Sequence, residues 1–355
     1  MAIAIRPLND EQRKPIPTEL GFGGVFSDHM FTQEYRDGAW HDAAIGPYTP
    51  FTLDPSCAVL HYAQEIFEGL KAYRRPDGNI NLFRPWDNAK RFTRSAVRMA
   101  MAPVDEAVFL ESIRELVKLD HQWVPSEAGS SYYIRPSLIA TQNALGVMPS
   151  NRYLHFVIGG PVGPYFKGGF NPVGVYISDT YRRAVKGGVG DAKTGGNYAA
   201  SLFVGQEASD KGYSQVLWLD AIEGRYVEEV GAMNIMFVYG DKIITPKLTG
   251  SILPGITRYS VLEMANSLGY EISEEQIDVN DVLADIKSGA ITEVFGCGTA
   301  AVIAPVGKFG MGDQEYLINN NQAGPVAKRI YDELTGIQYG HIEDRFGWTE
   351  VIEVV

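Results

Sequence analysis

The chain has 355 residues, 45% of them hydrophobic and 21% charged, and a formal net charge of −12. That balance excludes a disordered chain and allows about two domains with sizeable cores, and the negative surface argues against nucleic acid as a partner. Met1 to Asp10 lack the apolar core of a leader, and no apolar run approaches the ~20 residues that cross a bilayer, so a cytoplasmic chain without membrane contact is expected.

The first 50 residues carry short strand-like runs punctuated by Gly and Pro, as in LGFGGVFSDHM. Residues 87–101 have helical spacing, with Phe92, Ala96 and Met99 on one stripe. Residues 105–119 repeat it through Val108, Ile113, Leu116 and Leu119. Strand candidates follow at SYYIRPSLIAT and RYLHFVIGG, and then a Gly- and Pro-rich stretch over 159–174 marks the best domain boundary. Beyond it lie the β-rich runs VGVYIS, QVLWLD, AMNIMFVYG, KIITP and ITEVFG, with helical stretches at 197–211, 256–268, 278–288 and 323–335. Strand runs mixed with helices in both halves predict two α+β domains. Cys57 and Cys297 are too few for a disulfide framework, and no zinc pattern or other metal site is visible.

Residues 187–198, GGVGDAKTGGNY, set Lys193 among five glycines. Glycine lets the backbone approach a ligand closely, and a desolvated lysine amine loses basicity. Together they suit covalent capture of an aldehyde cofactor. A solvated lysine on a flexible surface loop gives the same pattern. A phosphate loop is the other chemical reading: Gly187, Lys193 and Thr194 fit G-x-x-x-x-G-K-[ST]. However, Ala192 replaces the second glycine, and eight residues separate the strand end at Ser178 from Gly187, whereas a phosphate loop follows its strand directly.

A pyridoxal-type aldehyde needs companions. Pro254 and Gly255 precede a helix that starts near Ile256, so the amides of Ile256 and Thr257 offer a phosphate site. The run GCGTAA at 296–301 offers a second amide cradle, with the hydroxyl of Thr299. A carboxylate beside the pyridine nitrogen is available from Glu228 or Glu229, at the start of the AMNIMFVYG strand. Successive strand residues face opposite sides, so one of the two is expected to point inward, and alternation does not choose between them. Tyr133 and Arg135, two apart on one strand face, make an acid-binding pair. Phe22, Tyr62, Phe67 and Tyr165 are candidates for an apolar pocket, though each taken singly is more often a core residue.

Taken in order, these segments resemble the branched-chain aminotransferases, class IV (fold type IV) pyridoxal-phosphate enzymes. The resemblance runs from FGGVFSDHM (22–30) to IQYGHIED (337–344), with anchors at LHYAQEIFEGLKAY (60–73), LFRPWDNAKRFTRSA (82–96), YYIRP, GGVGDAKTGGNYA, QVLWLD, EVGAMNI, ILPGITR and EVFGCGTA. It implies an α+β fold: a small N-terminal α/β domain over 1–162, an interdomain loop over 163–173, and a larger, pseudo-barrel-like C-terminal α+β domain over 174–355. It also implies pyridoxal 5′-phosphate as cofactor, a homodimer, and amino transfer between branched-chain L-amino acids (Leu, Ile, Val) and 2-oxoglutarate.

The same resemblance implies roles. Lys193 would carry the cofactor and move the proton. Tyr198 would bond the phenolic oxygen and Glu229 the pyridine nitrogen. Arg91, the amides of Ile256 and Thr257, and Thr299 would hold the phosphate, while Leu253 packs on the ring. Tyr133, with the amides of Thr299 and Ala300, would hold the substrate α-carboxylate, and Arg135 would serve the distal carboxylate of glutamate. Phe22, Tyr62, Phe67 and Tyr165 would line the side-chain pocket, and Leu145 and Val147 would reach the partner subunit's pocket. Two departures stand out. Ala301 and Ala304 replace the redox C-x-x-C of the animal enzymes, so no thiol switch is expected, and Ala232 stands where some relatives have Thr. A same-fold enzyme acting on D-amino acids or on aminodeoxychorismate is the main alternative, and Tyr133-x-Arg135 argues against it. A nucleotide-binding phosphate-loop protein and a non-catalytic scaffold are further alternatives.

Overall fold

The computed structural model describes residues 2–165 and 170–354. Its contacts divide the chain into two compact units. One is Met1–Tyr165 with Ala192–Gly195 and Gly336–Val355, and the other is Phe166–Asp191 with Gly196–Thr335. The loop expected over 163–173 runs through 166–169, which lie outside the described residues.

The first unit is built on a mixed sheet. Its strands run in the order Ala4–Ile5, Ala39–Pro47, His29–Arg36, Tyr153–Val162, Ser131–Ala140, Leu70–Arg74, Ile80–Phe83 and Thr349–Ile352, and Glu65–Phe67 also pairs with Ser131–Ala140. Alternation along Ser131–Ala140 sends Tyr132, Ile134, Leu138 and Ala140 into the core and leaves Tyr133 and Arg135 on the other face. Two helices cover the core face. Pro85–Arg98 buries Ala89, Phe92 and Ala96, starting on a proline whose fixed φ suits a first helical position. Glu106–Leu119 starts at Asp105, whose carboxylate accepts from the Ala107 amide at 2.8 Å, the usual use of an acid at that position. Its buried stripe is Phe109, Ile113, Leu116 and Val117. The stripe is therefore turned from the one expected, and Val108 and Leu119 lie at its margin, partly buried.

The edge strand Thr349–Ile352 pairs antiparallel with Ile80–Phe83. That pairing draws 336–355 into the first unit and makes it the longer of the two. A linear division at 163–173 does not anticipate this, because no local pattern in 336–355 shows which sheet it joins.

The second unit has its own mixed sheet: Val227–Val230, Gln215–Leu219, Val173–Ile177, Val302–Met311, Glu293–Gly298, Asn234–Tyr239, Lys242–Pro246 and Glu271–Glu275, with Gln314–Leu317 on Val302–Met311. Its core gathers Val175, Leu217, Ile235, Phe237 and Phe309, with Val282 and Ile286 from the helix Val279–Ser288. The helices Gly196–Asp210 and Ile256–Ser267 lie where periodicity puts them. Pro325–Tyr339 runs further than the expected 323–335. Glu228 and Glu229 do not begin the Asn234–Tyr239 strand. They sit on a separate strand, Val227–Val230, which ends in a turn at Gly231 with φ +57°. Both are buried, at 5% and 4% exposure, so alternation does not leave one in solvent: the strand is covered on both faces. Among the described residues no helix is long and apolar enough to cross a membrane, and no group of three or more His, Cys, Asp or Glu is placed to hold a metal ion.

Candidate active site

Lys193 is not on a loose surface loop. Its carbonyl accepts from the Phe67 amide at 3.0 Å, and its own amide donates to Ser95 Oγ at 3.0 Å. The next two residues are tied to Glu65: Thr194 Oγ1 donates to its carbonyl at 2.7 Å, and the Gly195 amide to its carboxylate. The backbone around the lysine is thus held by two segments of the first unit, the strand Glu65–Phe67 and the helix Pro85–Arg98, and Lys193 Nζ lies 4.7 Å from the centre of the Phe67 ring.

The strand that carries Phe67 explains the wall opposite. Glu65–Phe67 pairs with residues 137–139, and Leu70–Arg74 pairs with residues 132–134. Glu68 and Gly69 fall in the break between them. A Cβ on Gly69 would lie 2.1 Å from Tyr133 Oη, so only glycine leaves room for that phenol. Tyr133 Oη in turn accepts from Arg135 Nη2 at 3.0 Å. The guanidinium of Arg135 lies 4.6 Å from the Phe67 ring centre and 5.3 Å from that of Tyr133, within cation–π range. Phe22 contacts Tyr133 edge-on at 5.3 Å and Tyr165 at 5.0 Å. Phe22, Phe67, Tyr133, Arg135, Tyr165 and Lys193 are therefore linked through one another. Arg135 Nε is buried without a hydrogen-bond partner among the described residues. Burial raises the Glu65 carboxyl, against the Gly195 amide and the nearby Arg135 and Lys193 charges.

Tyr62 belongs to a different group. Its hydroxyl donates to the Leu145 carbonyl, and Leu145 and Val147 are exposed at 63% and 86%.

Arg91 is held by a residue the sequence pattern did not single out. Its Nε donates to Glu68 Oε1 at 2.6 Å and its Nη2 to Oε2 at 2.8 Å. Glu68 is fully buried and Arg91 is 6% exposed. Burial alone would raise the Glu68 carboxyl. The Arg91 guanidinium and its hydrogen bond, with Lys193 and Asn88, hold it below the usual carboxylate range.

In the second unit, Glu229 is surrounded by donors. Arg183 Nη2 lies at 2.6 Å, the Leu253 amide at 3.2 Å and Asn234 Nδ2 at 3.4 Å. Asn234 also donates to the Leu253 carbonyl at 3.0 Å. A Cβ on Gly255 would lie 2.0 Å from Asn234 Oδ1, which explains the glycine before the helix Ile256–Ser267. That helix has no side-chain cap, so its first amides, Ile256 and Thr257 among them, project from its positive end. Thr299 and Ala300 form the turn that leaves the strand Glu293–Gly298, and Tyr198 lies in the first turn of Gly196–Asp210. Glu228, on the other face of its strand, accepts from Ser251 Oγ, and burial raises its carboxyl.

Glu68, Asn234 and Arg183 escaped the sequence reading. One signal was available for Glu68: a lone acid beside Ile66, Phe67 and Leu70 is seldom buried without a cationic partner. Nothing local marks Asn234 or Arg183.

Comparison with known proteins adds the family context. Residues 65–309 match the family described as amino-transferase class IV. A Bacillus subtilis protein named branched-chain-amino-acid transaminase 1 is 50% identical, over 95% of this chain and 96% of that one. A Mycobacterium tuberculosis branched-chain-amino-acid aminotransferase is 49% identical, over 97% of this chain and 95% of that one. Among solved structures, the Escherichia coli branched-chain amino acid aminotransferase aligns with a TM-score of 0.76 at 27% identity, covering 92% of this chain and 99% of that one. The T.th. branched-chain amino acid aminotransferase with pyridoxamine 5′-phosphate aligns with a TM-score of 0.75 at 29% identity, covering 90% of this chain and 98% of that one.

Proposed function

The chain belongs to the class IV aminotransferases, and on that footing we propose how its own residues carry out the reaction. It is a pyridoxal-phosphate-dependent aminotransferase of the branched-chain amino acids Leu, Ile and Val, with 2-oxoglutarate as the amino acceptor and L-glutamate as product. The observation that carries this reading is the wall of Phe22, Phe67, Tyr133 and Arg135 beside a backbone-anchored Lys193.

The donor set fits the cofactor. A primary amine lies against an aromatic ring, a buried guanidinium is held in place by Glu68, and the helix that starts at Ile256 has no side-chain cap. Bound pyridoxal phosphate supplies the electron sink that lets the substrate Cα–H bond break. The remaining work falls to the protein. Lys193 would carry the cofactor, and its Nζ would serve as the base that takes the substrate's α-proton and hands it back. Glu229 keeps the pyridine nitrogen protonated, Tyr198 donates to the phenolic oxygen, and Leu253 packs on the ring. Arg91, the amides of Ile256 and Thr257, and the Thr299 hydroxyl hold the phosphate. Tyr133 and the Thr299 and Ala300 amides hold the substrate α-carboxylate. Phe22, Tyr62, Phe67 and Tyr165 receive an apolar side chain, and Arg135 receives the distal carboxylate of glutamate.

We also propose a cytoplasmic homodimer in which Leu145 and Val147 reach the partner's pocket. Their exposure, at 63% and 86%, supports a covering partner. A panel of L- and D-amino donors, assayed for glutamate formed from 2-oxoglutarate, tests the activity. L-Leu, L-Ile and L-Val should lead the panel, and a preference for D-amino acids would refute the substrate assignment.

A further inference from the structure

Glu68 has no part in the chemistry described above, yet it is among the most completely engaged side chains in the first unit. It sits in the break between two strand segments, where its amide donates to the Pro136 carbonyl at 2.8 Å. Its carboxylate accepts four hydrogen bonds: Arg91 Nε at 2.6 Å, Arg91 Nη2 at 2.8 Å, Asn88 Nδ2 at 2.7 Å and the Gly69 amide at 3.1 Å. It is 0% exposed.

A buried ion pair is a weak source of stability, since desolvation offsets most of the attraction and apolar replacements often do as well. What a bidentate pair does supply is geometry. A guanidinium carries five N–H donors in one plane, so fixing Nε and one Nη fixes the plane and the direction of its remaining edge. Asn88 and Arg91 lie three apart on the helix Pro85–Arg98, so one turn of that helix grips both oxygens. We infer that Glu68 is the positioning residue for Arg91: it holds the guanidinium plane so that the remaining edge meets the cofactor's phosphate already oriented. This rests on the phosphate role proposed for Arg91.

The opposite electrostatic expectation makes the role testable. If Glu68 acted only as a neutralising charge, removing that charge would strengthen anion binding. If it positions Arg91, Glu68→Gln weakens binding, because the amide NH₂ then faces an Arg91 N–H and the fork comes apart. The experiment is an absorbance titration of the cofactor-stripped full-length protein with pyridoxal 5′-phosphate and, separately, with pyridoxal, which has the same ring and aldehyde without the phosphate. The quantity read is the ratio of the two affinities, which a general loss of folding or of lysine reactivity would not move.

Glu68→Gln should lower that ratio about 10-fold or more, with pyridoxal binding little changed. Arg91→Gln should lower it similarly, and the double variant, which leaves neither charge buried alone, no further. Glu68→Asp keeps the charge but shortens the reach, and should also lower the ratio. It serves as the test if Glu68→Gln does not fold. A wild-type or raised ratio in the Glu68 variants, alongside a loss in Arg91→Gln, overturns the positioning role alone. An unchanged ratio in Arg91→Gln overturns the phosphate assignment beneath it.

Discussion

Arg135 Nη2 donates to Tyr133 Oη at 3.0 Å, across one face of the strand Ser131–Ala140. The contact ties the group proposed to hold the α-carboxylate to the group proposed for the distal one. The same guanidinium lies 4.6 Å from the centre of the Phe67 ring, within cation–π range.

Burying a lone carboxylate in an apolar pocket costs several kcal/mol, so glutamate needs a fixed cation where leucine needs none. Arg135→Met keeps much of the apolar stem and removes the charge. It should slow the half-reaction with glutamate or 2-oxoglutarate by at least ~10-fold, roughly 1.4 kcal/mol, and change the leucine half-reaction far less. Single-turnover spectra with each amino acid check this. Equal losses would make Arg135 a structural residue.

The two neighbouring glutamates should behave differently although both are buried. In the role proposed for Glu229, a neutral amide would not hold a proton on the pyridine nitrogen, so Glu229→Gln should lose about 100-fold in kcat while retaining cofactor. Glu228→Gln removes a carboxylate that burial already raises, so activity and melting temperature should stay near wild type. Reversed outcomes, measured as steady-state kcat and cofactor content, would exchange the two assignments.

His155 gives the first unit an acid sensitivity. Its ring is fully buried among Phe31, Phe92, Phe109 and Trp40, with no hydrogen bond to either nitrogen among the described residues. Burial lowers it from 6.5 to about 3. Between those values the unfolded chain binds a proton that the folded chain does not. The stability tied to the neutral ring is therefore complete above pH 6.5 and declines as pH falls toward 3, by up to ~1.4 kcal/mol per pH unit. Urea unfolding at about pH 7 and about pH 4.5, either side of the free imidazole's value, should show a smaller acid loss in His155→Phe than in wild type. Parallel losses would show that other groups set the acid limit.

Much of this was legible in the sequence because the signals were local. The Gly-flanked Lys193, the Tyr133–Arg135 spacing and the helix start at Gly255 all follow from periods and turn residues within a few positions. The Glu68–Arg91 pair spans 23 positions, and Asn234 reaches Leu253 19 positions on. Such partners depend on which strands become neighbours, and no local pattern states that. Burial of both Glu228 and Glu229 was missed for a related reason: alternation separates two faces of a strand, but coverage of the second face comes from distant chain. The pairing of Thr349–Ile352 with Ile80–Phe83 is likewise a long-range choice.

Mild oxidants should leave activity intact. The resemblance implies that Ala301 and Ala304 replace the animal enzymes' thiol pair, and Cys57 and Cys297 are each 1% exposed. Burial pushes the Cys297 thiol up to about 12, so it offers almost no reactive thiolate. A peroxide titration should show no inactivation that added thiol reverses. Reversible loss would reveal a switch elsewhere.

Every other assignment depends on which amine carries the cofactor. Lys71 is a specific rival: it is buried, pairs in register with Tyr133 on the neighbouring strand, and has its amine lowered by burial to about 8. Borohydride reduction of the cofactor-loaded enzyme, followed by peptide mass spectrometry, locks the cofactor onto the residue that holds it. The adduct is expected on the peptide containing Lys193, at that residue and near one per chain. An adduct on Lys71, or one spread over several lysines with Lys193 unmodified, would contradict the assignment.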